Sequence, residues 1–265
     1  MLATLERDIH EGLAIGRMAD GWLHRATRET DAGLIHGRPA LMAATARELA
    51  ETGRQEILDP LELPGFLAVT VRDGRGRSWR RHRWVSIESG RIAREVLVAD
   101  HHPGAPTAPA RWPALGEIES GRGQRPAPDT PPFADPLSPH ASAVATLIHR
   151  IINARRFDLA APAFSRDGDW DGPGAAGGDP MTIAPVLVRL IAAAPDLHAT
   201  LDQVAEGPDA VATVWRVAGT GPHSARFSGF ASCLARLDGA LIRRLNVVAD
   251  PEGILAAAAA PTLAL

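Results

Sequence analysis

The sequence of 265 residues contains no lysine and no tyrosine, and its only cysteine is Cys233. Without lysine, the chain has neither the amine needed for Schiff-base chemistry nor the phosphate-binding side chain of a P-loop. Without tyrosine, it has no phenol that could act as an acid or donate a hydrogen bond to an oxyanion. A single thiol excludes an internal disulfide and a cysteine-rich zinc site, and the apolar neighbours of Cys233 predict a small buried core residue.

The chain also lacks a strong excess of charge, because its formal net charge is −3 at pH 7. Such a chain has no overall field that would recruit nucleic acid or an anionic membrane surface. No apolar run reaches the length of about 20 residues that a membrane-spanning helix requires. The first ten residues mix charged with apolar side chains, unlike a signal peptide. We therefore expect a cytoplasmic protein with neither a nucleic-acid partner nor a membrane partner.

Proline interrupts the chain most densely between residues 103 and 140. Because proline lacks a backbone donor and disfavours helix in the residue before it, neither a helix nor a central strand is expected there. A chain of this length suits two domains of about 100–200 residues each. The sequence therefore predicts two domains, residues 1–102 and 141–256, joined by a proline-rich linker over residues 103–140.

The second half has the clearer secondary-structure pattern. Apolar residues at helical spacing predict one helix after Ser142, which could cap it, and another after Asp179-Pro180, a pair typical of a helix start. The glycine-rich segment 168–174 is expected to be a loop. Four strands follow, and Asp238-Gly239 predicts a tight hairpin between the last two. The predicted strands are Leu197–Val204, Ala210–Ala218, Arg226–Leu237 and Leu241–Val248.

The first half repeats this pattern less completely, with helices predicted over about residues 2–13 and 40–51. The closing strands of both halves end in Val-Ala-Asp, at Asp100 and Asp250, but the turn glycine precedes the aspartate by ten residues in the first half and eleven in the second. Because one extra residue would turn side chains to the other face, a bulge or a wider turn is expected near Ala240. The predicted strands are Phe66–Arg72, Trp79–Glu88 and Ile92–Val98.

The second half also carries a series of short segments whose order and spacing are informative together, although none is specific alone. They are Phe157-Asp158, Trp170–Gly174, Ala194–Leu197, Val214–Arg216, Arg226–Phe230, Asp238-Gly239 and Asn246–Asp250. Through them, nearly all of residues 142–256 resembles the SnoaL-like polyketide cyclases, a branch of the nuclear transport factor 2-like superfamily. The first half is similar to the family more weakly, and its matching residues are His36–Arg38, Trp84, Gly90–Ile92 and Asp100.

This resemblance implies an α+β fold with two cone-shaped, cystatin-like domains. Each would have a curved, mostly antiparallel sheet that wraps around helices and encloses an apolar pocket. The resemblance further implies that Asp250, and Asp100 in the first half, is a general base that removes an activated proton before an aldol ring closure. An aspartate in an apolar cavity suits this role, since lost solvation of its charged form raises its pKa. A second interpretation stays open, in which each aspartate caps a strand end and begins the next turn.

Other residues at the family's pocket positions are candidates for substrate binding. Core packing alone would also account for the aromatic ones, and a structural or surface position would account for His36. Arg226 is suited to hold a carboxylate or carbonyl of a ligand, or an acidic group of the protein. His101 and His102 are adjacent in an extended segment and point apart, so we expect neither a metal nor a cofactor. The candidates are His36, Trp84, Trp170, Trp215, Arg226 and Phe230.

Two functions are compatible with the resemblance, and whether the chain is an enzyme stays open. The first is binding of a small, largely apolar, carbonyl-bearing molecule, followed by aldol-type cyclisation or proton transfer. The alternative is a ligand-binding or assembly protein without turnover, because a fold does not fix a function. Family members often pair through their sheets, so the two halves are expected to form an intrachain pseudo-dimer, with a homodimer of whole chains as the alternative.

Overall fold

The computed structural model describes most of two compact units, Met1–Pro106 and Thr107–Leu265. Each unit contains one six-stranded sheet together with helical segments, which confirms the α+β class. The helix predicted over residues 2–13 and nearly all of the predicted linker lie outside the described residues. The described stretches are 22–30, 33–53, 55–89, 91–99, 137–172, 175–220 and 226–249.

The first unit packs a helix against one face of a mixed sheet. Its elements are β1 (Trp22–Thr30), β2 (Gly33–His36), α1 (Arg38–Thr52), β3 (Gln55–Leu63), β4 (Phe66–Asp73), β5 (Ser78–Glu88) and β6 (Arg91–Ala99). The strand order is β2-β1-β6-β5-β4-β3, in which β1 and β6 are parallel and all other neighbours are antiparallel. Leu41 of α1 joins Leu67 and Val69 of β4 in the core on this face.

The second unit repeats the same topology. Its elements are α2 (Pro139–Ile152), β7 (Phe164–Gly172), β8 (Ala175–Gly178), α3 (Ile183–Ala193), β9 (His198–Glu206), β10 (Ala210–Thr220), β11 (Arg226–Asp238) and β12 (Leu241–Ala249). The strand order is β8-β7-β12-β11-β10-β9, with β7 parallel to β12. Six strands in the same order, with the one parallel pair in the same place, support the interpretation of the chain as a tandem repeat.

Helix α2 and the 3-10 turn that precedes α3 each begin with a capping residue followed by proline. The side chain of Ser138 accepts a hydrogen bond from the backbone N–H of Ala141, and Pro139 is the first residue of α2. The prediction that Ser142 caps this helix was therefore wrong by one turn. The predicted start at Asp179-Pro180 is confirmed, because Asp179 accepts from the N–H of Met181. Its first turn is a 3-10 turn that leads into α3.

Strand β7 replaces the loop that was predicted over residues 168–174, so that prediction was wrong. The glycines of this segment permit close approach and do not mark a turn. A Cβ at Gly168 would lie 2.9 Å from the carbonyl oxygen of Ser165 and 3.0 Å from that of Ile242, and one at Gly172 would lie 2.5 Å from the ring of Trp170. A strand that carries Gly and Asp at most of its positions has none of the β-branched residues that usually indicate a strand.

The two closing hairpins, β5-β6 and β11-β12, have the same register. Arg81 pairs with Ala99 and Ala231 pairs with Ala249, so equivalent residues differ by 150 in number. The strand pairing shifts register once in each hairpin, and it does so at equivalent residues. The shift follows Ser86 in β5 and Arg236 in β11. Asp100 and Asp250 lie outside the described residues, but each directly follows one member of an equivalent pair.

The wider turn expected near Ala240 is absent, because both hairpin turns have two residues between their strands. The left-handed backbone conformation falls on Ser89 (φ 50°) in the first turn and on Gly239 (φ 62°) in the second. Glycine therefore occupies the second turn position in one hairpin and the first turn position in the other. The apparent extra residue came from aligning two glycines that are not equivalent.

Candidate functional site

The second unit encloses a cavity of about 150 Å³ between one face of its sheet and the helices α2 and α3. All of the side chains around it are apolar, apart from the thiol of Cys233. From the helices and their flanks come Ile148, Ile151, Ile152, Ile183, Val186, Leu187 and Leu190, and from the sheet come Trp170, Trp215, Val217, Ala231, Cys233, Leu245, Val247 and Ala249. The site is thus a partly open apolar space that a hydrocarbon group could fill.

The cavity exists because small and large side chains alternate across the inner face of the sheet. Trp215 of β10 pairs with Ala231 of β11, which pairs with Ala249 of β12. Two alanines beside one large ring leave unfilled space between these strands and the helices. Leu245 and Val247 continue the same face of β12, since alternate residues of a strand point the same way.

The hydrogen-bonding groups in the cavity wall are already engaged. The indole Nε1 of Trp170 donates to the hydroxyl of Thr182 at 2.8 Å. The indole Nε1 of Trp215 donates to the hydroxyl of Thr213 at 2.9 Å. A ligand inside the cavity therefore meets carbon surfaces and no aligned donor from these two tryptophans.

Cys233 is buried in the cavity wall, as its apolar sequence neighbours predicted. Burial raises the pKa of its thiol to about 12, and a hydrogen bond from Thr213 offsets only part of that rise. At neutral pH the group is a neutral thiol, and a neutral thiol is a poor nucleophile. Cys233 therefore contributes surface to the cavity and no covalent chemistry.

The structure brings two of the predicted site residues, Trp170 and Trp215, into one cavity wall. Phe230 lies on the other face of β11, because it precedes the cavity-lining Ala231, and its ring lies 4.8 Å from the guanidinium carbon of Arg216. Arg226 is the first residue of β11, and its side chain lies outside the described part. Asp250 also lies outside it, directly after Ala249.

The candidates of the first unit do not converge. His36 is exposed at the end of β2. Trp84 is buried in β5, where its ring centroid lies 4.6 Å from that of Phe66. Asp100 lies outside the described residues.

A buried ion cluster in the first unit was not predicted from the sequence. The carboxylate of Glu95 accepts from the Nε of Arg28 at 2.8 Å and lies 2.9 Å from Nη1 of Arg83. All three side chains are at most 4% exposed. The signal for this cluster was Glu95 itself, the only carboxylate in the predicted strand Ile92–Val98.

Helix α1 adds polar groups to the same cluster. The hydroxyl of Thr45 accepts from Nη1 of Arg28 at 3.1 Å and donates to the carbonyl of Leu41. Glu48, one turn further along the helix, forms an ion pair with the buried Arg81. The ion cluster, defined as Arg28, Arg81, Arg83, Glu95, Thr45 and Glu48, therefore ties the helix to the sheet.

The ion cluster occupies the sheet positions that line the cavity in the second unit. Arg28 pairs with Glu95 across β1 and β6, as Trp170 pairs with Leu245 across β7 and β12. By the common register of the hairpins, Arg81 corresponds to Ala231 and Arg83 to Cys233. One set of backbone positions thus holds charges in the first unit and an apolar wall in the second.

The wall of the cavity next to β9 is held by Asn153, which follows α2. Its side-chain amide donates to the carbonyl of Ala199 at 2.8 Å and accepts from the N–H of Ala199 at 2.8 Å. Ala199 lines the cavity. Asn153 thereby supplies both hydrogen bonds that a neighbouring strand would supply to an edge strand.

We expect Asn153→Ala to lower the free energy of unfolding by about 1–3 kcal/mol, because it leaves the buried N–H and carbonyl of Ala199 without these partners. Urea unfolding, with hydrogen exchange read on β9, measures the effect. The matched control is Gln203→Ala on the same strand, since Gln203 makes only a 3.5 Å contact with Asp202. The control is expected to stay within about 0.5 kcal/mol of the wild type. Equal losses in both variants would contradict the role of Asn153.

Residues 144–244 match the family model described as "SnoaL-like domain". This match lies within the second unit and confirms the resemblance found in its sequence segments. None of the curated proteins matches the chain. Within the part of the chain that the structure describes, no helix is both long and apolar enough to cross a membrane.

Solved structures similar to this chain cover slightly less than half of it. Wild-type IdmH from Streptomyces antibioticus is 18% identical, with 45% of this chain and 98% of IdmH covered and a TM-score of 0.41. A protein with a ketosteroid isomerase-like fold from Catenulispora acidiphila DSM 44928 is 18% identical, with 47% and 96% covered and a TM-score of 0.40. An NTF2-like protein from Burkholderia pseudomallei K96243 is 11% identical, with 47% and 100% covered and a TM-score of 0.41.

Proposed function

We propose that the second unit binds a small, largely apolar, carbonyl-bearing molecule in its cavity and that Asp250 acts on it as a general base. The observation that carries this proposal is the apolar cavity of about 150 Å³, whose lining residues mostly fall within the stretch 144–244 that matches the SnoaL-like family model. Ala249 lines that cavity, and Asp250 is the next residue of the chain. The carboxylate is therefore one residue along the sequence from a residue of the cavity wall.

The proposed reaction is an intramolecular aldol closure or a proton transfer. A carboxylate base takes a proton from the carbon between or beside activating carbonyl groups, which gives an enolate. In a ring closure the enolate carbon attacks a second carbonyl carbon of the same molecule, and the resulting alkoxide takes the proton back. No cofactor is consumed, and the apolar wall would exclude water that competes for the enolate.

The second candidate function is binding without turnover. It is favoured by the cavity wall itself, in which the only titratable side chain is the neutral thiol of Cys233. Within the described residues, no carboxylate, imidazole or guanidinium lines the cavity. The two functions therefore differ in one respect, which is whether Asp250 reaches the bound molecule.

Native mass spectrometry of freshly purified protein, followed by assays of Asp250→Asn on small β-keto esters, tests this proposal. We expect a bound molecule in the wild type and, in the variant, retained binding with turnover reduced by at least about 100-fold, the usual contribution of a general base. Asp238→Asn is the matched control, because Asp238 is an exposed aspartate at the hairpin turn. Full activity of Asp250→Asn would contradict the base assignment, and binding by a wild type that turns nothing over would favour the second function.

A further inference from the structure

The size of the cavity limits what the second unit can hold. An engineered protein cavity of about 150 Å³ lined by aliphatic and aromatic side chains takes up benzene, a single six-membered ring. The cavity of the second unit has the same volume and the same kind of wall. Fused systems of three or four rings have two or more times the volume of benzene, so they exceed this space.

The polarity of the wall limits which part of the ligand enters. A carbonyl moved from water into a wall without donors loses its hydrogen bonds and gains none in return. The two indole N–H groups of the wall are directed to Thr182 and Thr213, and the thiol of Cys233 is a weak donor. The hydrocarbon part of a ligand therefore fills the cavity, and its carbonyl stays at the margin.

We infer that the ligand of the second unit is a monocyclic or short branched carbonyl compound. Its single ring or alkyl group fills the cavity, and its carbonyl stays at the margin of the apolar wall. This inference rests on the proposed function. It narrows the substrate class to molecules whose buried hydrocarbon part is no larger than a single six-membered ring. It excludes fused compounds of three or more rings.

Among its described residues, the first unit does not repeat this apolar wall at the equivalent sheet positions. The positions equivalent to Trp170, Cys233 and Leu245 are Arg28, Arg83 and Glu95, whose charges are paired and buried there. A hydrocarbon placed between them would separate an ion pair with nothing to solvate either charge. We therefore expect each chain to bind one ligand molecule.

A series of methyl ketones tests the inference, because the carbonyl stays constant while the ring system grows. Acetophenone has one ring, 2-acetylnaphthalene has two and 9-acetylanthracene has three. Calorimetric titration of the full-length protein is expected to show one acetophenone per chain and at least ten-fold weaker binding of 9-acetylanthracene. Hydrophobicity alone predicts the opposite order, since each added ring increases the apolar area.

Variants of the cavity wall test whether the size of the cavity determines which ketone binds. Ala231→Leu fills the cavity and is expected to weaken acetophenone binding at least ten-fold, whereas Ser228→Leu, at an exposed position of the same strand, leaves it unchanged. Trp215→Val introduces the residue found at the equivalent Val69 and is expected to strengthen 2-acetylnaphthalene binding. This enlarging variant tests the inference even where the filled variant fails to fold.

The results of these titrations also distinguish failure of the size limit from failure of the proposed function. Equal or tighter binding of 9-acetylanthracene by the wild type would overturn the size limit and leave the proposed function standing. Two acetophenone molecules per chain would overturn the single site. Failure of all three ketones and of small aliphatic β-keto esters to bind would overturn the proposed function itself.

Discussion

Glu95→Gln is expected to lower the free energy of unfolding of the first unit by about 3–5 kcal/mol, the usual result of breaking a buried ion pair. The substitution keeps the size of the side chain and removes the charge that Arg28 and Arg83 both contact. Two guanidiniums that are at most 4% exposed then lose the carboxylate between them. Hydrogen exchange measured by mass spectrometry should show the lost protection in β1, β5 and β6, with β11 and β12 unchanged.

Glu88→Gln provides the control for this experiment. Its carboxylate pairs with Arg25 at 2.5 Å, but the two side chains are 53% and 77% exposed. A solvent-exposed pair of this kind contributes about 1 kcal/mol or less. Similar losses in the two variants would mean that burial does not determine the importance of these charges in the first unit.

The stability of the protein is expected to fall as the pH decreases from 7.5 to 5.0, and His82→Leu should remove much of that dependence. His82 is 2% exposed. Burial, with a smaller contribution from Arg80, lowers the pKa of its imidazole from 6.5 to about 3. Between these two values the unfolded chain binds a proton that the folded chain does not, so unfolding is favoured as the pH falls. For one group with an unfolded pKa of 6.5 this amounts to about 2 kcal/mol at pH 5.0.

Urea unfolding followed by circular dichroism at the two pH values measures this effect in the wild type and in His82→Leu. The readout is the difference between pH 7.5 and pH 5.0 within each protein, so a change in overall stability of the variant does not interfere. His36→Gln, at an exposed position in the same unit, should keep the wild-type dependence. An unchanged pH dependence in His82→Leu would show that the proton is taken up elsewhere.

The sequence predicted best those strands that are buried on at least one face. Strands β4, β5, β6, β9, β10, β11 and β12 were all predicted within a few residues of their observed bounds. Strands β4, β6 and β12 are rich in valine, isoleucine and leucine, and Ser89-Gly90 and Asp238-Gly239 mark the two hairpin turns. Here local preference and tertiary structure agree, so periodicity alone was sufficient.

Strands β1, β2, β3, β7 and β8 were not predicted, for physical reasons that differ among them. In β7 the glycines permit close contact with Ile242 and Trp170, and such contact is a property of the assembled sheet. In β1 the side chains that face the core include Arg28, whose burial depends on Glu95, 67 residues away. A local pattern contains neither kind of information.

The candidate site could be predicted only in part. Trp170 and Trp215 were identified through the family resemblance, and both line the cavity. Phe230 was grouped with them, although one step of strand alternation places it on the other face. That Arg81 and Arg83 lie in a buried cluster required knowledge of which face of β5 meets helix α1. The roles of Asp100 and Asp250 stay predictions.

The hairpins β5-β6 and β11-β12 have the same register, so they have equivalent backbones. Residues 81–99 and 231–249 span equal lengths and close through turns of equal size. One segment can replace the other without an insertion or deletion, and the residue pairing between the two strands of the hairpin is the same. The same backbone positions therefore support opposite interiors, because charged side chains fill them in the first unit and apolar side chains leave a cavity there in the second.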